Sequence, residues 1–263
     1  MIVTVDDFGF HHQANELVTQ AIDRKFVTHV ATMTGLSGKD EALDYIAARR
    51  EQVSRDSVTF GLHLNVTEGA PVLPVEKVRS IVDSNGKLLG WQPFLKRFVF
   101  GKIDRDELQN EVDHQLAALK SSDPGLSFLN SHHHIHAWPG VMRAIAPVMK
   151  RHGIQSVRQP SKLWWPAFTH RYGMKGVIIE LLSLSRKCEF ERFTNEFVDF
   201  DWVNPSKTAR AAALKLVPNH AELSCHPHVF TTPADAAANP DPSCTLAWLL
   251  DHESDVRKQL AKA

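Results

Sequence analysis

Short apolar runs alternate with amphipathic helical stretches along most of this chain, and that alternation constrains its fold more than any other feature. Segments 2–5, 29–33, 58–65, 126–136, 156–158 and 221–226 read as strands. Between them apolar residues recur at helical spacing: Ala14, Leu17, Val18, Ala21 and Ile22; the segment 42–50; Leu108, Val112, Leu116 and Leu119; Val141, Ile145, Val148 and Met149. Asn204 followed by Pro205 reads as an N-cap with proline at the first helical position, opening a helix that runs through Leu216. Strands that alternate with helices form parallel sheets joined by crossovers, here about six or seven units. The expected fold is α/β, a single barrel-like domain over 1–263, with a doubly wound sheet as the alternative. Segment 67–101, with Pro71, Pro74 and Ser84-Asn85-Gly86, reads as an excursion, and 161–201 shows no clear pattern.

Bulk properties narrow the function classes. Apolar residues make up 43% of the chain, enough to fill a core of that size. Lys+Arg and Asp+Glu both number 30, so no net charge draws the chain to nucleic acid or an anionic membrane. Cys188, Cys225 and Cys244 are too scattered for a disulfide framework, and none stands in a CxxC pair that would suit a thiolate zinc site. The first residues do not read as a signal peptide, and the apolar stretch 176–184 is short and broken by Glu180. These features lead to the expectation of a soluble, cytoplasmic protein.

The 15 histidines are clustered, and with several aspartates they fall where predicted strands end. Parallel α/β folds build their sites beyond the carboxyl ends of their strands. Asp6 and Asp7 precede Gly9, which allows a sharp exit from the first strand. Two adjacent carboxylates there can divide labour, one on a metal and one accepting a proton, although an acidic pair is also an ordinary solvated feature. In Gly61-Leu62-His63-Leu64-Asn65, His63 shares a face with Gly61 and Asn65. In Asn130-Ser131-His132-His133-His134-Ile135-His136, strand alternation puts His132, His134 and His136 on one side. Imidazoles with a carboxylate suit a divalent ion that keeps open positions, as catalytic sites do. His226 in Cys225-His226-Pro227-His228 is a candidate general acid, and Cys225 alternates away into the core. Arg158 ends a short strand where it can orient a carboxylate or an acyl oxygen of a substrate, and Trp164 and Trp165 could stack on a sugar ring.

Taken in order, Val5-Asp6-Asp7-Phe8-Gly9, Gly61-Leu62-His63, Ser131-His132-His133-His134-Ile135-His136 and His226-Pro227 resemble the YdjC-like carbohydrate deacetylase family, which includes chitooligosaccharide deacetylases. The resemblance runs from residue 5 to residue 227. It implies a distorted TIM-like (β/α) barrel, one divalent metal ion (Mg, Zn, Co or Mn) and removal of an N-acetyl group from an amino sugar or short oligosaccharide. Carried over residue by residue, it implies Asp7, His63 and His132 as metal ligands, with Asp6 as general base and His226 as proton donor. A homodimer is compatible with the resemblance. Val5 stands where the family usually has Ala and His228 where Gly is common, and the second departure bears on substrate choice.

Two other readings fit the same residues. One is a different metal-dependent barrel hydrolase, a phosphoesterase or cyclic amidase; a phosphate substrate calls for clustered Arg and Lys, and only Arg158 lies near a motif. The other is a non-catalytic sugar-binding relative, which would not need a second carboxylate beside the ligand.

Overall fold

In a computed structural model, residues 1–51, 58–158, 190–192, 194, 196–202, 207–227 and 244–261 are described. Among the described residues eight strands form one sheet: β1 (Ile2–Phe8), β2 (His29–Thr32), β3 (Thr59–Leu64), β4 (Phe128–Ser131), β5 (Ser156–Val157), β6 (Glu191–Arg192), β7 (Phe197–Asp199) and β8 (Glu222–Cys225). Every pairing is parallel, and the row runs β6-β5-β4-β3-β2-β1-β8-β7. Sequence neighbours are therefore spatial neighbours, and the last pair of strands joins the row beside β1. A doubly wound sheet would reverse its strand order at a switch point. This row never reverses, so the doubly wound alternative is set aside.

Side chains crossing the interior show that the sheet is curled. From β5 to β8 there are five steps along the row, about 24 Å in a flat sheet at roughly 4.8 Å per step. Yet Arg158, just past β5, donates from Nη2 to Glu222 Oε1 on β8 at 2.6 Å and from Nη1 to Asp6 Oδ2 on β1 at 2.5 Å. No side chain spans a flat sheet of that width. The strands must face one another around a common interior, as in a barrel left open between β6 and β7 among the described residues.

The crossover helices are α1 (His12–Asp23), α2 (Lys39–Glu51), α3 (Trp91–Val99), α4 (Arg105–Ser122), α5 (Pro139–Arg151) and α6 (Lys207–Leu216), with α7 (Thr245–Asp251) and α8 (Glu253–Leu260) after β8. Outward strand residues such as Val3, Val5, Leu62, Leu64, Leu129 and Leu223 form one apolar cluster with Val18, Ile22, Leu108, Val112, Leu116 and Ile145 of the helices. Alternate strand positions face inward and include Thr4, Asp6, His63, Asn130, Glu222 and Ser224 beside the rings of Phe128 and Phe197, so the interior, unlike the apolar outer layer, carries a hydrogen-bonded network.

Three sequence readings change. The expected strand 126–136 stops at Ser131, and His132–Ala137 forms a tight 3-10 turn in which His133 and His134 adopt φ of 55° and 54°. Left-handed residues cannot continue a strand, so the alternation of the histidines does not hold. Segment 67–101 is an excursion as expected, but it contains α3 and is tied to α4, where buried Glu111 accepts from the backbone N–H groups of Val72 and Leu73. Strands β6 and β7 lie where no pattern was legible. The Asn204–Pro205 cap, Trp164, Trp165, His228, Cys188 and segment 176–184 lie outside the described residues. Cys225 and Cys244 are buried free thiols, so Cys225 does pack in the core.

No helix among the described residues is long and apolar enough to cross a membrane.

Candidate metal and acid–base site

The site begins with a kink. Asp7 has φ 61°, and the β1–β2 register shifts between Val5 and Phe8. A residue in the left-handed region breaks the alternation of a strand, so consecutive side chains need not point to opposite faces. Asp6 and Asp7 are accordingly both buried and both reach the interior groups described below. Gly9 completes the exit at φ 93°, where an added Cβ would lie 2.3 Å from the carbonyl oxygen of Met33.

Asp7, His63 and His132 come together as the motifs implied. Their ligand atoms lie within 4.8 Å of one another, and all three residues are buried. Asp7 Oδ1 is 3.0 Å from His63 Nε2 and 3.2 Å from His132 Nδ1. The far side of each ring meets an acceptor: His63 Nδ1 is 2.7 Å from Asn130 Oδ1, and His132 Nε2 is 2.8 Å from Glu68 Oε2. Since Asn130 Oδ1 can only accept, His63 carries a proton on Nδ1, which leaves Nε2 as the ring atom that faces the Asp7 carboxylate. Nε2 and the carboxylate are close enough to share a proton or a metal ion, and a carboxylate with two imidazoles is a fitting donor set for a divalent ion. The demand for positive charge shows at His132 too. Burial lowers its pKa, but Asp7 and Glu68 outweigh burial and hold it up at about 9.

Asp6 is held differently. Arg158 Nη1 and Nη2 donate to its two oxygens at 2.5 and 3.0 Å, Asn130 Nδ2 donates to Oδ1 at 2.7 Å, and Ser224 Oγ donates to Oδ2 at 3.0 Å. Burial opposes its charge, yet Arg158, with His63 and His226, keeps the carboxyl well below the usual carboxylate range. Arg158 is itself 1% exposed, so it is not a surface arginine. Its Nε and Nη2 also donate to Glu222 Oε1, at 2.8 and 2.6 Å, leaving it clamped between two carboxylates.

His226 closes the ring of groups. Its Nε2 lies 3.5 Å from Asp6 Oδ2 and its Nδ1 lies 2.7 Å from Asp201 Oδ2. Burial disfavours the imidazolium, but Asp201, Asp199 and Asp7 outweigh it and raise the pKa well above that of free imidazole. Asp199 is pushed up to about 7, first by burial and then, against the pull of His226, by Asp201 beside it. Asp199, Asp201 and His226 also have ligand atoms within 4.8 Å, as do Glu68, His132 and His133.

The four clustered histidines thus go to four places. His132 meets Asp7, His133 Nδ1 meets Thr67 Oγ1 at 2.9 Å, and His134 Nε2 lies 3.6 Å from Asp199. His136 sits between Ser131 Oγ at 2.5 Å and the backbone oxygen of Arg158 at 2.7 Å, which ties the turn to the end of β5. Sequence reasoning did not assign roles to Glu68, Asn130, Asp199, Asp201, Glu222 and Ser224. Asn130 lay inside a quoted motif, and Glu222 and Ser224 lay in the predicted strand 221–226, on the same face as His226. Asp199 and Asp201 sat in an unreadable stretch and carried no signal.

Comparison with known proteins bears on this arrangement. A family model described as YdjC-like protein matches residues 1–260. Relatives named carbohydrate deacetylase include one of Homo sapiens, 27% identical over 162 residues, which are 61% of this chain and 48% of that protein. Another, of Brevibacillus brevis, is 27% identical over 160 residues, 61% of this chain and 59% of that protein. The aligned region thus spans about half the length of these curated relatives. Among solved structures, a candidate cellobiose-phosphate cleavage protein of Enterococcus faecalis superposes with a TM-score of 0.68 at 18% identity, covering 98% of this chain and 94% of that one. That likeness concerns the fold.

Proposed function

The chain belongs to the YdjC-like family, and from that premise we propose that it is a metal-dependent carbohydrate deacetylase, a single catalytic domain over 1–263 that removes an N-acetyl group from an amino sugar or short N-acetylated oligosaccharide. The observation that carries the reading is the convergence of buried Asp7, His63 and His132, with His63 Nε2 3.0 Å from Asp7 Oδ1, beside a separate Asp6–His226 pair 3.5 Å apart. Asp7, His63 and His132 are the ligands in this reading. A divalent ion held there supplies an acidified water and a polarised acyl carbonyl. Two nitrogen donors favour Zn, Co or Mn over Mg, which prefers oxygen.

The chain's own groups do the rest. Asp6, fixed by four donors, stays ionised and serves as the oriented acceptor for the proton of the attacking water. Arg158 acts through Asp6: its N–H groups orient the carboxylate, and substrate contact is left to other residues. His226, cationic between Asp6 and Asp201, donates from Nε2 to the departing amine as the amide C–N bond breaks. Water is consumed, and acetate and a free amino sugar result.

The test is acetate release from N-acetylglucosamine and its oligomers by protein charged in turn with Zn, Co, Mn or Mg, with phosphate release followed in parallel and H132A as control. Metal-dependent acetate release that H132A abolishes is the expected result. Phosphate release without acetate, or acetate release unaffected by H132A, would overturn the reading.

A further inference from the structure

We infer that Asn130 is a positioning residue that fixes His63 in its Nδ1–H tautomer and so presents the Nε2 lone pair to the metal side of the site. The inference rests on the reading of His63 as a metal ligand and adds the device that makes it one.

The placement follows from the sheet. His63 and Asn130 are register partners on the parallel strands β3 and β4, so their side chains rise side by side on the same face. Asn130 is 1% exposed, which closes off water as a substitute partner. Its amide has a fixed sense. Nδ2 donates to Asp6 Oδ1 at 2.7 Å, and an ionised carboxylate can only accept. Turning the amide over would set its oxygen against the Asp6 carboxylate and its NH2 against the His63 N–H, losing two buried hydrogen bonds at once. With the sense fixed, Asn130 Oδ1 faces His63 Nδ1 at 2.7 Å and requires a proton there. A neutral imidazole protonated at Nδ1 has its lone pair at Nε2, which faces Asp7 Oδ1 at 3.0 Å. The charge on Asp6 is thereby relayed through one amide into the tautomer of a ligand on the next strand but one. The equivalent acceptor for His132 is Glu68, whose side chain is 33% exposed and can exchange with solvent; Asn130 has no such freedom. Orienting partners of this kind typically change metal affinity about 10–100-fold when removed.

The experiment uses the full chain, metal-free and 15N-labelled, with long-range 1H–15N correlations assigned through H63A, followed by calorimetric titration with Zn. Wild type is expected to show Nδ1–H at His63. N130D keeps an acceptor for Nδ1 and should retain that tautomer, at a cost in stability because its second oxygen meets the Asp6 carboxylate where Asn130 Nδ2 donated. N130A should shift His63 toward Nε2–H and weaken Zn binding by about 10–100-fold. An Nε2–H signature in wild type, or an N130A protein with unchanged tautomer and affinity, overturns the inference. If N130A fails to fold, the wild-type and N130D spectra still decide it. A wild type that shows Nδ1–H but binds no divalent ion keeps the Asn130 assignment and overturns the metal reading instead.

Discussion

Replacing Arg158 by Gln removes the cation that bonds both Asp6 and Glu222 and leaves the two carboxylates inside the barrel without it. Removing one partner of a buried ion pair costs about 3–5 kcal/mol, chiefly because the remaining charge is stranded. Here Glu222 loses that cation while Asp6 keeps Asn130, Ser224 and His226 beside it, so R158Q is expected within that range, about 4 kcal/mol. Against a total stability of about 5–15 kcal/mol, that is a large fraction. At about 2–4 °C per kcal/mol for a protein of this size, Tm should fall by on the order of 10 °C or more. The deficit should depend on pH. In wild type the folded pKa of Asp6 lies below its ordinary 3.8, so its contribution is present above that value and lost as pH falls through the folded pKa. In R158Q the lost cation lets both carboxyls rise, so the variant gains protons and relative stability as pH drops. Urea unfolding followed by far-UV circular dichroism at pH 7 and pH 4 measures both effects, and the gap should narrow at pH 4. Removing all three charges in R158M/D6N/E222Q should recover much of the loss, since no charge then remains to be desolvated. An R158Q protein within about 1 kcal/mol of wild type at pH 7 would refute the clamp, because that is the size expected of an exposed pair.

Further expectations concern the other parts of the site. Gly9→Ala forces a Cβ to within 2.3 Å of the Met33 carbonyl at φ 93°, so it should cost about 3 kcal/mol or more in strain and overpacking, read as a lower urea midpoint. Asp199, with a folded pKa of about 7 against an ordinary 3.8, contributes stability that is full below 3.8 and lost as pH rises through 7. Wild type should therefore lose stability between pH 4.5 and 7.5 and D199N should lose less; identical slopes would contradict this origin. Glu68→Ala should weaken Zn binding by about tenfold by removing the acceptor behind His132, with Glu68→Gln milder because its amide oxygen still accepts. Asp6→Asn should lower acetate release by about 10²–10⁴-fold, and Zn affinity, measured by calorimetry, should fall by no more than the roughly 10–100-fold expected of N130A, since only the acceptor that orients Asn130 is altered. Full turnover in D6N would remove Asp6 from the reaction.

The sequence by itself determined the alternation of strands and helices and which residue types would meet. Helical stripes such as Leu108, Val112, Leu116 and Leu119 became the buried face of α4, because helix periodicity is a local property that tertiary packing uses without altering. The Asp6, Asp7, His63, His132 and His226 motifs were legible because strand ends in a parallel sheet all point to one rim. What the tertiary structure decided lies between strands. The period-two reading of the histidine run failed at His133 and His134, which adopt left-handed backbone and send their rings to Thr67 and Asp199. Arg158 read as a group that orients a carboxylate or a substrate acyl oxygen, and only the curl of the sheet showed it bonded to Asp6 and Glu222, 152 and 64 residues away in the chain. Asn130 and Glu68 acquired meaning only once the rings they orient were placed. Ligand residues can be read from a chain because their chemistry is their own; the partners that set tautomer, charge and orientation are defined by distance alone, and distance belongs to the fold.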